Sequence, residues 1–370
     1  MDQGNIPKAT FMNNFVVIGA GIVGLSVAEY LSRKGKVLVL HSPLKHPASH
    51  AAAANLSIKA QRYARDPHYE LKIRGHGEYE NWLKHLTRMQ IRPIDNFFKK
   101  ARGVDTFESE EDCIFQWDRV LQPGSELVKR KLPPQELSIV NSKNIEYAGE
   151  ACVNANALLE ILRIRCLQQG VVIEQGEVES KAAIKYKFFN HFKDKAQHII
   201  LCAGAWTPNI LQKWEIENIP THKYRYGSTW ILPNDFETGK YLKTLSLLEF
   251  VETDRKHKFT LSNPSGKELF LSSSSHAADS LGDTERFATE DAAYLDRCAK
   301  LLNRMVRQEL PEPVETLSGM RLRFGHKELW CEKLQEDLTV CAGAHKSGFI
   351  LAPVLGEHVR SVIDSPLPSV

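Results

Sequence analysis

Phe15-Val-Val-Ile-Gly-Ala-Gly-Ile-Val-Gly-Leu-Ser26 is the stretch on which the fold turns. Four apolar residues run into Gly19-Ala-Gly-Ile-Val-Gly24, a G-x-G-x-x-G turn. A segment with helical apolar spacing follows, Leu25-Ser-Val-Ala-Glu-Tyr-Leu-Ser-Arg-Lys34, and then a second apolar strand, Lys36-Val-Leu-Val-Leu40. The motif by itself is weak, but a strand before it and a helix after it form the context of a dinucleotide-binding βαβ unit. Gly19 permits the tight turn, Gly21 lets a pyrophosphate approach the backbone, and Gly24 lets the helix pack closely on the strand. Ile22 and Val23 open the helix, where free N–H groups and the positive end of the helix dipole favour phosphate.

The rest of the composition narrows the class without naming a ligand. At 370 residues the chain can bury a large core, and two intertwined domains are expected. The apolar fraction of 42% and the charged fraction of 25% are those of an ordinary globular protein. A formal charge of +3 is too small to imply a nucleic-acid partner. The seven cysteines are scattered and form no C-x-x-C pair, which argues against a disulfide framework or a zinc site and fits a reducing compartment. Cys202 and Cys341 each sit in an apolar strand, where a small buried hydrophobe is expected. Met1–Asn14 is polar, and no run approaches the roughly 18 apolar residues that span a bilayer. No metal site, no membrane segment and a cytoplasmic location are therefore expected.

Four dispersed segments share the texture of the first unit. Besides residues 15–40 they are Val153–Leu167 with Gly170 and the strand Val171-Val-Ile173; His198-Ile-Ile-Leu-Cys-Ala-Gly-Ala-Trp-Thr-Pro208; and Leu338-Thr-Val-Cys-Ala-Gly-Ala-His-Lys-Ser-Gly-Phe-Ile-Leu-Ala-Pro353, continuing as a helix to about Val362. Residues 96–150 are charged and turn-rich. Residues 216–315 carry short β-like runs (Ser228–Leu232, Lys258–Leu261, Leu269–Leu271) and one helix, Glu290–Leu302. The expected fold is α/β: a discontinuous Rossmann-like nucleotide domain built from 1–95, 151–215 and 316–370. Into it are inserted 96–150 and 216–315, forming a substrate domain of antiparallel sheet plus helices.

Taken in order, these four segments resemble the D-amino-acid-oxidase-like family of FAD-dependent oxidoreductases, and within it the glycine oxidase and sarcosine oxidase branch. The resemblance implies FAD as cofactor. Its small-residue loop against the flavin corresponds to Ala48-Ser-His-Ala-Ala-Ala-Ala-Asn-Leu56, which assigns Ala48, Ser49, Ala53, Ala54 and Asn55 to the cofactor. A flat ring lying on backbone leaves little room for larger side chains. By the same resemblance Val178 brackets the adenine side, and Ala203, Gly204 and Trp206 form a second turn at the cofactor. Ala344-His-Lys-Ser-Gly-Phe-Ile350 brings a helix start (Ser347, Gly348, Phe349, Ile350) to the flavin, with His345 and Lys346 at the loop tip. A helix N-terminus there stabilises negative charge on the reduced ring. Gly319-Met-Arg321 resembles the family's Gly-Leu-Arg, whose arginine holds the substrate carboxylate bidentately. Arg323 is a weaker alternate, expected to point away from it.

The chain also departs from the family. Its second strand ends in His41 followed by Ser42, not in the carboxylate that receives the adenosine ribose hydroxyls, and a neutral imidazole has one acceptor nitrogen where a carboxylate has two oxygens. Ala54 replaces a glycine. Lys346 stands where glycine oxidases carry a second arginine, keeping the charge but losing the fork. Phe259 occupies the position of a tyrosine at the substrate and lacks its hydroxyl. His50 falls at a position that does not tether the flavin, so no covalent link is expected. The implied activity is oxidation of the C–N bond of a small amino acid or N-alkyl amino acid by hydride transfer to flavin N5, with the imine then hydrolysed and dioxygen as acceptor. Two alternatives share the fold: removal of a carboxymethyl group from a tRNA wobble uridine, and a flavin-binding protein that has lost catalysis.

Overall fold

A computed structural model describes residues 14–42, 47–58, 67–88, 93–120, 129–132, 143–233, 245–251, 258–272, 276–306, 309–325 and 329–367. The first βαβ unit forms as its sequence dictates. Strand β1 (Phe15–Ile18) is wholly buried, helix α1 spans Ile22–Leu31, and β2 (Val37–His41) pairs parallel with β1. Gly19 adopts φ +112°, and a Cβ there would sit 2.4 Å from the Cys202 carbonyl oxygen. Only glycine accommodates both. At Gly24 a Cβ would lie 1.9 Å from the Gly19 carbonyl oxygen, so the helix meets the turn only because the side chain is missing.

Helix α2 (Pro67–Thr87) follows, then strand β3 (Phe98–Phe107), helix α3 (Glu110–Val120) and strands β4 (Lys129–Leu132) and β5 (Lys143–Val153). The described residues of the charged, turn-rich stretch are therefore largely in regular strands and a helix. Ser109 receives the Asp112 backbone N–H at 3.1 Å and starts α3, whose first turn carries Glu110, Glu111 and Asp112. The turn-forming dipeptides Pro123-Gly124 and Pro133-Pro134 of this stretch lie outside the described residues. Next come α4 (Ala155–Gln168), capped by Asn154 through the Ala157 N–H, β6 (Val172–Gln175), α5 (Lys181–Phe192), β7 (His198–Leu201) and α6 (Thr207–Lys213).

Strands β8 (His222–Pro233), β9 (Leu245–Val251), β10 (Lys258–Ser262), β11 (Glu268–Ser272) and β12 (His276–Ala278) are followed by helix α7 (Thr284–Val306) and β13 (Glu315–Phe324). The chain closes with β14 (Trp330–Gln335), β15 (Leu338–Ala342) and α8 (Gly348–Asp364), which packs between α1 and α2.

Two sheets result. The six-stranded one has the order β14-β15-β7-β1-β2-β6, all parallel except the edge strand β14. The nine-stranded one runs β12-β8-β11-β10-β9-β3-β5-β4, with β13 on the other side of β8. It is not wholly antiparallel, because β3 and β9 pair in parallel. The sheets also change over at places the sequence did not mark. β5 continues to Val153 and β13 to Phe324, so Arg321 stands on the second sheet, not within the nucleotide-type segment that 316–370 suggested. The reason is local: Glu315–Phe324 alternates Met320, Leu322 and Phe324 against β8 as any half-buried antiparallel strand does. Cys341 is a buried free thiol within β15, and Cys202, also buried and free, directly follows β7. No helix among the described residues is long and apolar enough to cross a membrane.

Candidate functional site

A cavity of about 1140 Å³ opens between the carboxyl ends of the parallel strands and one face of β8 and β13. That position at the strand ends is where open α/β sheets bind ligands. It is large for a small-molecule site, in keeping with a long ligand and a substrate together.

The first wall is backbone. Gly19, Gly21, Ile22 and Val23 line the cavity from the βα turn, and Ala203, Gly204 and Trp206 from the turn after β7. Gly24 lies beneath, in the helix–turn packing described above. The alanine loop crosses over the helix start: the Ile22 N–H is donated to Ser49 Oγ at 3.1 Å. One of the first donors of α1, expected to face a phosphate directly, is thus engaged by the loop. Ala48, Ser49, Ala53, Ala54 and Asn55 all line the cavity, and Asn55 Oδ1 is buried with no hydrogen-bond partner among the described residues. Ala54 takes φ 47°, the left-handed region where the family's glycine is at ease and alanine is strained. The loop is pinned by Thr229 Oγ1 to the Ala51 carbonyl at 2.7 Å and by Ser262 Oγ to the Ala53 carbonyl at 3.0 Å. Opposite it, Gly319 leaves no room for a Cβ, which would lie 2.7 Å from Ala48 Cα.

At one end, β2 delivers His41 and Ser42 to the cavity, with Val178 across from them. Burial lowers the His41 pKa below the ordinary imidazole value, the charge of Arg163 acts the same way, and a backbone hydrogen bond involving Ser42 opposes them. Asn156, Glu160 and Arg163 also line this end from one face of α4, and His50 Nδ1 lies 2.8 Å from Asn156 Oδ1. These α4 residues were not expected at the site. Their spacing of three and four marks a shared helix face, but α4 carries enough apolar residues to read as a purely buried helix.

At the other end stand Arg321, His345 and Lys346, with Ser347, Gly348, Phe349 and Ile350 forming the start of α8. Arg321 is half-buried, its open part facing the cavity, and among the described residues it makes no hydrogen bond or ion pair. Burial pulls its guanidinium down to about 10; the charge of Asp291 opposes this and that of Arg225 adds to it. Burial first, then the charges of Arg321, Lys346, Arg323 and Arg225, hold His345 well below the usual imidazole range, so it is neutral at pH 7. Arg323 shares a face with Arg321, as alternate residues of a strand must, correcting the expectation that it points away.

Phe259 is not at the cavity. It is 1% exposed, stacks on Phe250 at 5.3 Å between ring centroids, and belongs to the core under α7 with Leu295 and Leu302. Its neighbour Thr260 faces the cavity instead. The two-residue period of β10 puts these neighbours on opposite faces, and which face was buried depended on α7.

These features fit FAD. A glycine turn with no space for side chains, a loop of small residues and an unpartnered buried amide oxygen offer backbone and polar contacts to a long, flat, anionic ligand. Gly19 to Gly24 with α1 would hold the pyrophosphate, the 48–55 loop and the start of α8 the ring, and the His41 end the adenosine.

Comparison with known proteins agrees. A bifunctional ThiO/ThiG protein of Synechocystis sp. is 34% identical over 218 residues, 54% of this chain and 31% of its own length. The mouse FAD-dependent oxidoreductase domain-containing protein 1 is 28% identical over 179 residues, 44% of this chain and 37% of its own. The chain thus matches about a third of the length of these relatives. Among solved structures, iminodiacetate oxidase from Chelativorans sp. BNC1 superposes with a TM-score of 0.73 at 18% identity, covering 96% of this chain and 97% of its own. Glycine oxidase from Geobacillus kaustophilus gives 0.70 at 15% identity, with 95% of each chain covered. The family model described as FAD dependent oxidoreductase matches residues 14–361, and the chain belongs to that family.

Proposed function

We propose that the protein oxidises the C–N bond of a small amino acid or N-alkyl amino acid. The observation that carries this is Arg321. It is a desolvated guanidinium facing the cavity, with no ion-pair partner among the described residues, on the strand directly opposite the small-residue loop. A planar fork in that state is matched by a carboxylate. Two proteins that share the fold are named as oxidases of glycine and of iminodiacetate, and the reading carries that chemistry to this chain.

Bound FAD supplies a two-electron acceptor. The protein fixes the carboxylate through Arg321, and the 345–346 loop tip adds cationic charge at Lys346 beside it. His345, held neutral, offers one donor and one acceptor without adding a further charge. No side-chain base is required when the amine arrives unprotonated, so orientation and exclusion of water are the protein's main contributions. Dioxygen is the proposed acceptor.

The test is to mix purified, flavin-loaded protein anaerobically with a panel of amino acids and N-alkyl amino acids. Bleaching of the visible flavin band by at least one of them is expected, with peroxide formed once air is admitted. A flavin that no amine bleaches contradicts the reading and leaves a flavin-binding protein without this catalysis.

A further inference from the structure

Arg321 is not alone on its strand pair. β13 and β8 are antiparallel with Arg321 directly opposite Arg225, and Arg323 follows on the same face. Directly opposed residues stand about 5 Å apart at Cβ and project to the same side. The other face of the pair is apolar core, with Tyr224, Tyr226, Met320 and Leu322 all buried. Arg321 lines the cavity on the side of Gly227 and Gly319, and Arg225 stands on the same face beside it, just outside the lining residues.

Like charges directly opposed destabilise a sheet, so the pair calls for compensation. Among the described residues neither Arg321 nor Arg225 makes an ion pair or hydrogen bond. Asp291 is the acid whose charge reaches Arg321, and its Oδ1 already lies 3.1 Å from His276 Nε2. Lys346 adds a further cation from the loop after β15. The remaining wall here is hydroxylic (Ser228, Thr229, Thr260, Ser272), with no carboxylate among its described residues. Even without Lys346, the facing pair Arg321 and Arg225 carries more positive charge than one monocarboxylate neutralises.

We infer that the substrate carries two anionic groups, the carboxylate beside the amine held by Arg321 and a second one held by Arg225 at the facing register position. This rests on the reaction proposed above and specifies its substrate class: a dicarboxylic amino acid or an amine with two carboxylate arms. Arg225 is then a specificity residue, selecting the second anion.

The experiment compares isosteric pairs on the flavin-loaded protein: aspartate with asparagine and glutamate with glutamine, in both chiral forms, and N-carboxymethylglycine with N-carbamoylmethylglycine. The best dianion is expected to exceed its neutral partner in kcat/KM by about 30-fold or more. In Arg225→Gln that preference should fall below about 3-fold with flavin content unchanged, and Arg225→Lys should restore most of it. Malonate and succinate, which cannot be oxidised, should perturb the flavin spectrum at lower concentration than acetate or propionate. Equal kcat/KM within the pairs, or a preference untouched in Arg225→Gln, overturns the inference. If no amine bleaches the flavin, the proposed reaction fails, and tighter binding of the dicarboxylates still upholds the two-anion pocket. Equal binding of mono- and dicarboxylates sinks it in either case.

Discussion

The two sheets build opposite walls of one cavity by different means. Along its middle the six-stranded sheet contributes mostly backbone, the turn at Gly19 to Gly24, the turn after β7 and the start of α8, with His41 and Ser42 at one end and His345 and Lys346 at the other. The nine-stranded sheet contributes side chains: Arg321, Thr260 and Ser272, with Arg225 behind. A backbone wall needs absent side chains at fixed spacing, and such spacing is written locally. A side-chain wall depends on which residues of distant strands come into register, and that is decided by the rest of the fold. The glycines of the first wall can therefore be read one by one from the sequence, while the second wall needs the register of β8 and β13.

The largest effect should come from the backbone wall. Gly24→Val places a branched side chain where even a Cβ lies 1.9 Å from the Gly19 carbonyl oxygen. A loss of at least about 3 kcal/mol, the top of the usual overpacking range, is expected together with loss of bound flavin. Normal flavin content in that variant would show that the close approach of helix and turn is not what holds the cofactor.

Acid should also strike the six-stranded half. His198, buried in β7 with its Nε2 2.8 Å from Thr339 Oγ1, has its pKa lowered to about 4, mainly by burial and next by the charge of Lys333. Its folded value lies below the unfolded 6.5, so between those limits the unfolded chain binds a proton that the native state does not. Its contribution is complete above pH 6.5 and declines as pH falls, by about 3 kcal/mol at pH 4. Urea unfolding across this window should show the decline, and His198→Gln should flatten it. An unchanged slope in the variant would reject this assignment.

The smallest effect concerns the loop between the walls. Ala54 sits at φ 47°, and Ala54→Gly should raise stability by roughly 1 kcal/mol in thermal unfolding. A decrease would mean that the alanine methyl, 5% exposed in the main core, packs well enough to outweigh its backbone strain.

How far the sequence disclosed this molecule follows the same division. Gly19, Gly21 and Gly24, the alanine loop and the Ala344–Ile350 segment could be placed at the site from their own neighbourhoods, because the reason for each residue lies within a few positions of it. The left-handed turn at Ala54 was legible only as a departure from glycine. Phe259, expected at the cavity, lies under α7, since a strand's pattern tells which residues share a face but not which face is wet. The role of Arg225 is hidden in the sequence for the same reason. Tyr224-Arg225-Tyr226 carries a two-residue alternation, yet nothing local reveals that Arg321 stands opposite. Helix α2, interrupted by Gly75 and Gly77, is held by Tyr79, Leu83 and Leu86 packing into the core, a tertiary cause absent from its composition.

The central claim is that the two walls do separate work, the backbone wall holding FAD and the arginine face holding substrate. Arg321→Gln tests it most directly, with flavin content and the anaerobic rate of flavin bleaching measured on the same preparation. The account predicts full flavin occupancy and a bleaching efficiency reduced by about 30-fold or more at low substrate, the loss expected when a charged partner of a carboxylate is removed. A variant that loses its flavin, or one that bleaches as fast as the parent, would contradict it.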